Sequence, residues 1–317
     1  MSRVVALAGG VGGAKLAHGL AQLDASSLTV IVNTGDDFEH LGLPVWPDID
    51  TVLYTLAGIA NRSQGWGIEG ESWAFMDQIE LLGLPSWFRL GDRDLATHIF
   101  RRLRLDEGIM RPTEIVAELA RRLGVASAIL PMTDSPVRTM VATADGELPF
   151  QDYFVRLRCA VAVNAFRFAG IESAVATPEI TTALSAPDLR AIVLCPSNPY
   201  VSIGPIFSVG GMRNALERSP APVVAVSPII AGSAVKGPAA KMLRELGQDV
   251  SALGVARHYA GLVDGFVIDE ADRSLAAAIE ELGMSVLVVP TLMRDDADRR
   301  RLAADCLSFA DRIAEGR

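Results

Sequence analysis

Six short segments of the chain consist of continuous apolar residues, many of them β-branched, and each ends at a polar or turn-forming residue. They cover residues 3–9, 28–34, 190–196, 221–228, 264–270 and 284–290. Unbroken apolar runs are typical of strands covered on both faces, as in parallel sheets, because a half-exposed strand alternates apolar and polar residues. The pattern therefore predicts six buried strands in one mainly parallel sheet.

Stretches with the apolar spacing of helices lie between these strands. "GAKLAHGLAQL" follows the first strand, "GMRNALERS" precedes the fourth, and "SLAAAIEELG" precedes the sixth, with Gly283 predicted just beyond the end of that helix. Strands that alternate with helices form right-handed βαβ units. The predicted fold class is therefore α/β, with a Rossmann-like, doubly wound, mainly parallel sheet.

The region from about residue 60 to 180 has a different pattern. Three helical stretches come first, "ESWAFMDQIELLG", "RDLATHIFRRLR" and "TEIVAELARRLG". Residues 137–154 then have the pattern of a β-hairpin, with Asp145-Gly146 as its turn. We predict one Rossmann-like domain over residues 1–317, with a mixed, largely helical insertion at about 60–180 that forms a lid or wall.

Composition narrows the classes of function. The formal net charge is −9, which disfavours a general nucleic-acid binder because such a protein needs a basic surface. Cys159, Cys195 and Cys306 are far apart in sequence, a pattern typical of a reduced, cytoplasmic protein. The chain has no apolar run long enough to predict a membrane span. An anionic substrate must therefore meet local backbone donors, a few cations or a metal.

The first strand runs into the glycine-rich segment "GGVGGAK", residues 9–15. A glycine turn that opens a helix lets backbone N–H groups approach an anion, and the helix dipole favours negative charge there. The segment does not match the P-loop, because Ala14 precedes Lys15 where glycine is needed and Leu16 follows it where serine or threonine is needed. It does not match the dinucleotide fingerprint either, which would need glycine at position 15. An anion-binding loop is predicted, and a tight packing turn is the alternative.

Four carboxylates follow the second strand: Asp36, Asp37, Asp48 and Asp50. Ligands bind at the carboxyl edge of an open α/β sheet, and crowded carboxylates there need a compensating cation, proton or donor. Oxygen ligands of this kind suit Mg²⁺. The alternative is structural, with Asp50 capping a helix that begins at Thr51.

Two later loops also follow strands and are rich in small donors, glycine and lysine. "CPSNPYVSIGPI" contains Ser197 and Asn198, and "SPIIAGSAVKGPAAKM" contains Ser227, Lys236, Gly237 and Lys241. Together with the first glycine loop they predict a long, multiply anionic ligand, although Lys241 also fits a surface helix lysine whose aliphatic stem packs on the protein.

Arginine and tryptophan side chains between the second and third strands offer further contacts. Arg93 opens a predicted helix, where the helix dipole disfavours a cation, so it is a candidate for a bound anion or ring. A solvated arginine is the alternative. The four tryptophans, Trp46, Trp66, Trp73 and Trp87, either pack in the core or wall a flat aromatic ligand.

Taken jointly, several of these stretches resemble the 2-phospho-L-lactate transferase family of coenzyme F-420 biosynthesis. The resemblance extends over roughly residues 3–300. The matching stretches are "GGVGGAK", "VNTGDD", "PDIDTVLYTL", "GWGIE", "LGDRDLATH", "LPMTD", "FQDYFVR", "PSNPYVSIGPI" and "SPIIAGSAVKGPAAKM".

The resemblance implies a magnesium-dependent transferase of the Rossmann-like fold. Such an enzyme passes a phospholactyl, phosphoenolpyruvyl or phosphoglyceryl group from a guanosine diphosphate-linked donor to the terminal hydroxyl of the deazaflavin Fo, and GMP leaves. It implies catalytic roles for Asp50 and Asp37, and contacts of Asp50 and Arg93 with Fo. It also implies a homodimer.

The remaining implied site residues fall into two groups. The metal would be held from the set Asp36, Asp37, Asp48 and Asp50. The nucleotide and diphosphate would be bound by Gly10, Gly12, Gly13, Lys15, Ser197, Asn198, Ser227, Lys236, Gly237 and Lys241.

Two other functions compete with the transferase. A related group of bacterial regulators shares the fold and binds nucleotide-sugars without turnover, but tends to carry a glycine- and serine-rich run after the paired aspartates. Here that run is "DDFEHLGLPVWPDIDT", followed by "GDRDLATH", which is similar to the transferases. An NAD-dependent oxidoreductase is disfavoured by the broken dinucleotide fingerprint.

Overall fold

The computed structural model describes residues 2–235 and 237–316. The strands are β1 (Arg3–Ala8), β2 (Leu28–Val32), β3 (Phe38–His40), β4 (Leu43–Val45), β5 (Ala128–Pro131), β6 (Arg138–Thr143), β7 (Gly146–Pro149), β8 (Ala165–Ala169), β9 (Leu189–Leu194), β10 (Val223–Val226), β11 (Ile229–Ile230), β12 (Ser233–Ala234), β13 (Gly265–Ile268) and β14 (Ser285–Val288).

The α-helices follow in the same chain order. They are α1 (Gly10–Asp24), α2 (Pro47–Leu56), α3 (Ala74–Leu81), α4 (Asp92–Glu107), α5 (Pro112–Arg122), α6 (Pro178–Leu184), α7 (Gly204–Ser208), α8 (Met212–Glu217), α9 (Ala239–Glu245), α10 (Ala252–Tyr259), α11 (Ala276–Glu280) and α12 (Asp296–Glu315). Short π-helical turns cover Asp152–Arg156 and Pro199–Ile203. No helix within the described ranges is both long and apolar enough to cross a membrane.

Seven parallel strands form the central sheet, in the order β14-β13-β10-β9-β1-β2-β5. This confirms the predicted α/β class with a parallel sheet. The chain moves outward from β1 through β2 to β5, and in the other direction from β9 to β14. The strand order therefore reverses between β1 and β9, and a crevice for ligands is expected at the carboxyl ends of these two strands.

Helices cover both faces of the sheet, which explains the continuous apolar runs in its strands. Val4 and Ala6 of β1 pack in the cluster that contains α1, α2, α5 and α12, whereas Val5 and Leu7 pack in the cluster that contains α6, α8 and α10. Because successive side chains of a strand point to opposite faces, every residue of such a strand must be apolar.

One strand of the sheet, β5, lies inside the region that the sequence analysis treats as an insertion. Residues 60–180 therefore comprise two excursions on either side of β5, rather than one continuous insertion. The first carries α3 to α5, and the second carries the separate antiparallel sheet β7-β6-β8. The run of β5, Ala-Ile-Leu-Pro, has one β-branched residue and ends in proline, so it does not stand out as a strand.

The predicted hairpin is present, but its turn is displaced by one residue. Thr143 pairs with Gly146, so the two loop residues are Ala144 and Asp145. Gly146 is the first residue of β7 and has a φ of 121°, which L side chains rarely adopt. The glycine is therefore required at the start of the strand rather than inside the loop.

Candidate functional site

A cavity of about 540 Å³ lies at the carboxyl edge of the sheet, where the strand order reverses. It is lined by the loops that follow β1, β9, β10 and β14, by α2 and α4, and by the segment after β7. The cavity thus lies at the edge of the sheet where the sequence predicts that the ligand binds. The loop residues that line it are Gly9, Gly10, Val11, Gly12, Pro196, Ser197, Asn198, Ser227, Pro228, Thr291, Leu292 and Met293.

Ser197 joins the two loops of the reversal point. Its hydroxyl oxygen accepts a hydrogen bond from the backbone N–H of Gly9 at 3.1 Å and donates to the carbonyl of Gly9 at 2.8 Å. The loops also touch at Gly12, where a Cβ atom would lie 2.3 Å from the carbonyl oxygen of Pro196. At Gly13, a Cβ would lie 2.6 Å from the Ser197 hydroxyl. The glycines therefore let two loops pack directly on each other.

Asp48, on the first turn of α2, contacts the same glycine loop. Its Oδ1 accepts from the backbone N–H of Gly10 at 2.7 Å, and its Oδ2 accepts from the amide of Asn33 at 2.9 Å. Gly10 opens α1. One N–H group at the N-terminus of this helix, which the sequence analysis assigns to a ligand anion, is thus bound by a carboxylate of the protein.

Three of the four predicted carboxylates, Asp36, Asp37 and Asp48, are buried and form no ion pair with the described residues. Burial, and then the charge of Asp48, raises the pKa of Asp36 well above its usual range. Burial likewise raises the pKa of Asp37 well above its usual range, and raises that of Asp48 to about 6 against the hydrogen bonds from Asn33 and Gly10. In the described part of the chain, Oδ1 of Asp36 and Oδ1 of Asp37 are buried and lack a hydrogen-bond partner. Asp36 and Asp48 line the cavity.

The fourth carboxylate, Asp50, has a different partner. Both of its oxygens accept hydrogen bonds from Arg101 of α4, from Nη1 to Oδ2 at 3.3 Å and from Nη2 to Oδ1. Because α2 begins at Pro47, Asp50 lies inside the first turn and does not cap a helix at Thr51. The structural alternative considered for Asp50 is therefore wrong.

The predicted metal set does not gather at one point. Within the described residues, the one group of three potential ligands whose atoms lie within 4.8 Å of one another is Asp50, Asp94 and His98, all buried and all lining the cavity. Nε2 of His98 is 3.4 Å from Oδ1 of Asp94. Tyr54 donates to the same oxygen at 2.6 Å. Burial opposes the charge of Asp94, but the contacts from His98 and Tyr54 outweigh it and lower its pKa.

Aromatic side chains form another part of the cavity lining, called the aromatic wall below. Trp66 and Trp87 line the cavity and are two of the four predicted tryptophans. Trp46 instead packs in the core, with the guanidinium of Arg101 4.2 Å from its ring centroid. The wall is completed by Phe88, Phe150 and Phe154. A flat, largely apolar ligand suits such a surface.

Two predicted cationic contacts lie away from the cavity. Arg93 is exposed, donates to the carbonyl of Glu69 and does not line the cavity, whereas Arg89 does. Lys241 is on α9, where it donates to Glu245 at 2.6 Å and to the carbonyl of Val161 at 2.8 Å. Neither side chain reaches the ligand space in this structure.

Most of the other predicted nucleotide contacts line the cavity. Lys15 lines the cavity and donates to the carbonyl of Met293 at 2.9 Å. Ser227, Asn198 and Gly237 also line it, but Asn198 uses its side-chain oxygen to accept from the N–H groups of the π-helical turn that follows. Lys236 lies outside the described residues.

Several cavity residues are absent from the predicted site. Tyr54 and Asp94 lie within the stretches "PDIDTVLYTL" and "LGDRDLATH" without having been given a ligand role, and Arg89 lies in none of the quoted stretches. Thr291 follows β14 directly, so the rule that ligands bind at the carboxyl ends of strands would have identified it. Arg101 is seven residues after Asp94, and only the packing of α4 against α2 reveals that it pairs with Asp50.

Comparisons with known proteins agree with this architecture. The chain matches the model of the 2-phospho-L-lactate transferase CofD family over residues 4–293. It is 41% identical over 322 residues to a phosphoenolpyruvate transferase from Kitasatospora aureofaciens, with 99% of each chain covered.

More distant proteins show the same likeness. A 2-phospho-L-lactate transferase from Methanosarcina mazei is 38% identical over 301 residues, which cover 95% of this chain and 98% of that one. The crystal structure of a upf0052 family member from Bacillus halodurans has a TM-score of 0.65 at 16% identity, and the match covers 96% of this chain and 98% of that one. The last comparison is a similarity of fold.

Proposed function

Since the chain belongs to the 2-phospho-L-lactate transferase CofD family, we propose that it transfers a three-carbon phosphoacid from a guanosine diphosphate-linked donor to the terminal hydroxyl of the deazaflavin Fo. The observation that carries the proposal is one cavity with two unlike sets of lining residues. One set consists of glycine, serine and lysine residues, and the other is aromatic. Such a cavity suits a phosphorylated donor and a flat ring held next to each other.

Among the three possible donors, we propose the phosphoenolpyruvyl form. Relatives named phosphoenolpyruvate transferase are 40–41% identical to this chain. Relatives named 2-phospho-L-lactate transferase are 38–39% identical. The two groups differ little in sequence identity to this chain, so the identity of the donor is the first property to test.

The donor diphosphate is placed on the side of the glycine loop. Lys15 supplies a cation, and the backbone of the first turn of α1 supplies N–H groups. The Pro196–Asn198 loop, tied to Gly9 through Ser197, closes the other flank. Because these groups are fixed before the ligand arrives, little ordering entropy is lost on binding.

The carboxylates at the cavity fit a magnesium ion. Asp36 fits best, because it lines the cavity and has a buried oxygen without a partner in the described chain, and Asp48 is the second candidate. Asp37 also has a buried oxygen without a partner there but does not line the cavity. Mg²⁺ usually takes one or two carboxylates together with substrate phosphates. When bound, it would neutralise charge on the diphosphate.

In the proposed reaction, the terminal hydroxyl of Fo attacks the phosphorus that carries the three-carbon acid. The new P–O bond forms as the bond from this phosphorus to the bridging oxygen of GMP breaks, GMP leaves with that oxygen, and the hydroxyl proton passes to solvent. Asp50 lines the cavity and accepts the hydrogen bond that aims the hydroxyl. Transfer of this kind depends on positioning and charge stabilisation rather than covalent help from the protein.

Mass spectrometry of the products tests the proposal. Fo and Mg²⁺ are offered with each guanylated three-carbon phosphoacid in turn, and we expect GMP together with the phosphoenolpyruvyl adduct of Fo. Absence of GMP with all three donors would overturn the transferase. A melting shift with uridine diphosphate sugars in place of GDP and Mg²⁺ would then favour the nucleotide-sugar-binding regulator. We also propose a homodimer, which light scattering on the purified protein checks.

A further inference from the structure

A buried arginine lies behind the carboxylate that faces the proposed acceptor. Arg101 is fully buried and does not line the cavity, whereas Asp50 does. The two residues are 51 positions apart, on α4 and α2. Arg101 therefore acts on the ligand space only through Asp50 and the residues beside it.

The guanidinium is held on several sides. Nη1 donates to the carbonyl of Pro44 at 3.0 Å, and the guanidinium carbon is 4.2 Å from the centroid of the Trp46 ring. Nη1 is also 3.3 Å from Nδ1 of His98. A planar guanidinium can stack and donate in a fork at the same time, which a lysine ammonium cannot. The position of the arginine is thus determined by its surroundings rather than by Asp50 alone.

The same arrangement fixes Asp50. Both carboxylate oxygens are bound by the guanidinium, and Nδ1 of His98 lies 3.9 Å from Oδ2. His98 is in turn next to Asp94, which accepts from Tyr54. The negative charge of Asp50 is compensated at contact distance, unlike the charges of Asp36 and Asp48.

We infer that Arg101 is a positioning residue, which holds Asp50 at the cavity wall as a hydrogen-bond acceptor for the acceptor hydroxyl and keeps it from binding the metal. The inference rests on the proposed function for its kinetic part. Its metal part does not, because Mn²⁺ binding with GDP is measured without turnover. Asp50 is accordingly removed from the set of predicted metal ligands, which leaves Asp36 and Asp48 at the cavity and Asp37 outside its lining.

The experiment compares Arg101→Met, Arg101→Lys and the double variant Asp50→Asn/Arg101→Met. Removal of the arginine alone leaves a buried carboxylate unpaired and is expected to destabilise the protein, whereas the double variant removes both charges. Arg299→Met is the control, because Arg299 is a buried, ion-paired arginine on α12 that does not line the cavity. Mn²⁺ binding with GDP is followed by electron paramagnetic resonance, and kcat and KM are measured for each substrate.

We expect the double variant to bind Mn²⁺ as the wild type does and to lose about 10²-fold in kcat/KM for Fo, since small misplacements of a reacting group cost that much. Arg101→Lys keeps Asp50 and a positive charge beside it, so its kcat/KM for Fo should fall less than that of the double variant. Weaker Mn²⁺ binding in the double variant would overturn the inference, because Asp50 would then be a metal ligand. Wild-type kinetics in the double variant would overturn it too. If the wild type itself gives no product, the proposed function fails, and Mn²⁺ binding alone decides the inference.

Discussion

Asp48 binds the backbone N–H of Gly10 at 2.7 Å, and so places a carboxylate at the N-terminus of α1. A negative charge at a helix N-terminus is favourable. At Asp48, however, burial outweighs this contact and raises the pKa from 3.8 to about 6. Ionisation of Asp48, which binds the glycine loop, therefore costs free energy in the folded protein.

This relationship predicts how stability depends on pH in protein freed of divalent cations. The folded state holds a proton on Asp48 at pH values where the unfolded chain has already lost it, so the free energy of unfolding rises as the pH falls from about 7 to about 5. Asp36 and Asp37 act in the same direction. Urea denaturation at several pH values measures the effect, which for Asp48 is about 1 kcal/mol between pH 7 and pH 5.

The matched variant for the pH prediction is Asp48→Asn, which keeps the shape of the side chain and removes the titrating group. Its stability should vary less with pH than that of the wild type. An identical pH dependence in the two proteins would contradict the assignment to Asp48.

Gly12→Ala is expected to separate the two loops of the reversal point. The added methyl would lie 2.3 Å from the carbonyl oxygen of Pro196, which is backbone and cannot rotate away. Overpacking of this kind costs about 1–3 kcal/mol. We expect a lower midpoint of unfolding and weaker binding of GDP, measured by denaturation and calorimetry. Gly316→Ala is the control, because the atoms nearest to its Cβ would be at 3.6 Å.

Arg89 and Arg93 form a matched pair of arginines, one inside and one outside the cavity. Arg89→Gln should raise the KM for Fo and leave the KM for the donor unchanged, because its side chain lines the cavity on the side of the aromatic wall. Arg93→Gln should leave both KM values close to those of the wild type. A raised KM for Fo in Arg93→Gln alone would restore the contact implied by the family resemblance.

Trp66 is 45% exposed and lines the cavity, so a ligand ring can cover it. Trp66→Ala should raise the KM for Fo about tenfold, because an aromatic pair contributes about 0.5–1.5 kcal/mol beyond its area. Quenching of tryptophan fluorescence by Fo should fall in the same variant. Ile109→Ala, at a residue that is 82% exposed and outside the cavity lining, is the control and should change neither quantity.

The architecture of the sheet could be predicted because its strands are covered on both faces. An apolar run such as "VVALA" can belong only to a buried segment, and the glycines after it mark the carboxyl edge. β5 was not predicted because its run has only one β-branched residue and ends in proline. For the same reason, the sequence did not predict that β5 divides residues 60–180 into two excursions.

Site residues were harder to predict where their role depends on distant partners. The four aspartates are the same residue type, yet among them only Asp50 accepts hydrogen bonds from a guanidinium at both carboxylate oxygens. That difference arises from the packing of α4 on α2, which no local spacing encodes. Arg93 is predicted as a ligand contact on dipole grounds, but its side chain reaches the carbonyl of Glu69 and stays outside the cavity. Arg89, which is not among the predicted site residues, lines the cavity.

The bond between Ser197 and Gly9 joins residues 188 positions apart in sequence. The donor side of the cavity cannot exist until β9 has docked beside β1, which is a long-range and therefore slow event in folding. A donor molecule can thus bind only after this pairing is complete. Added GDP should leave the refolding rate unchanged and slow unfolding instead, so that substrate protects the finished enzyme kinetically without helping it to form.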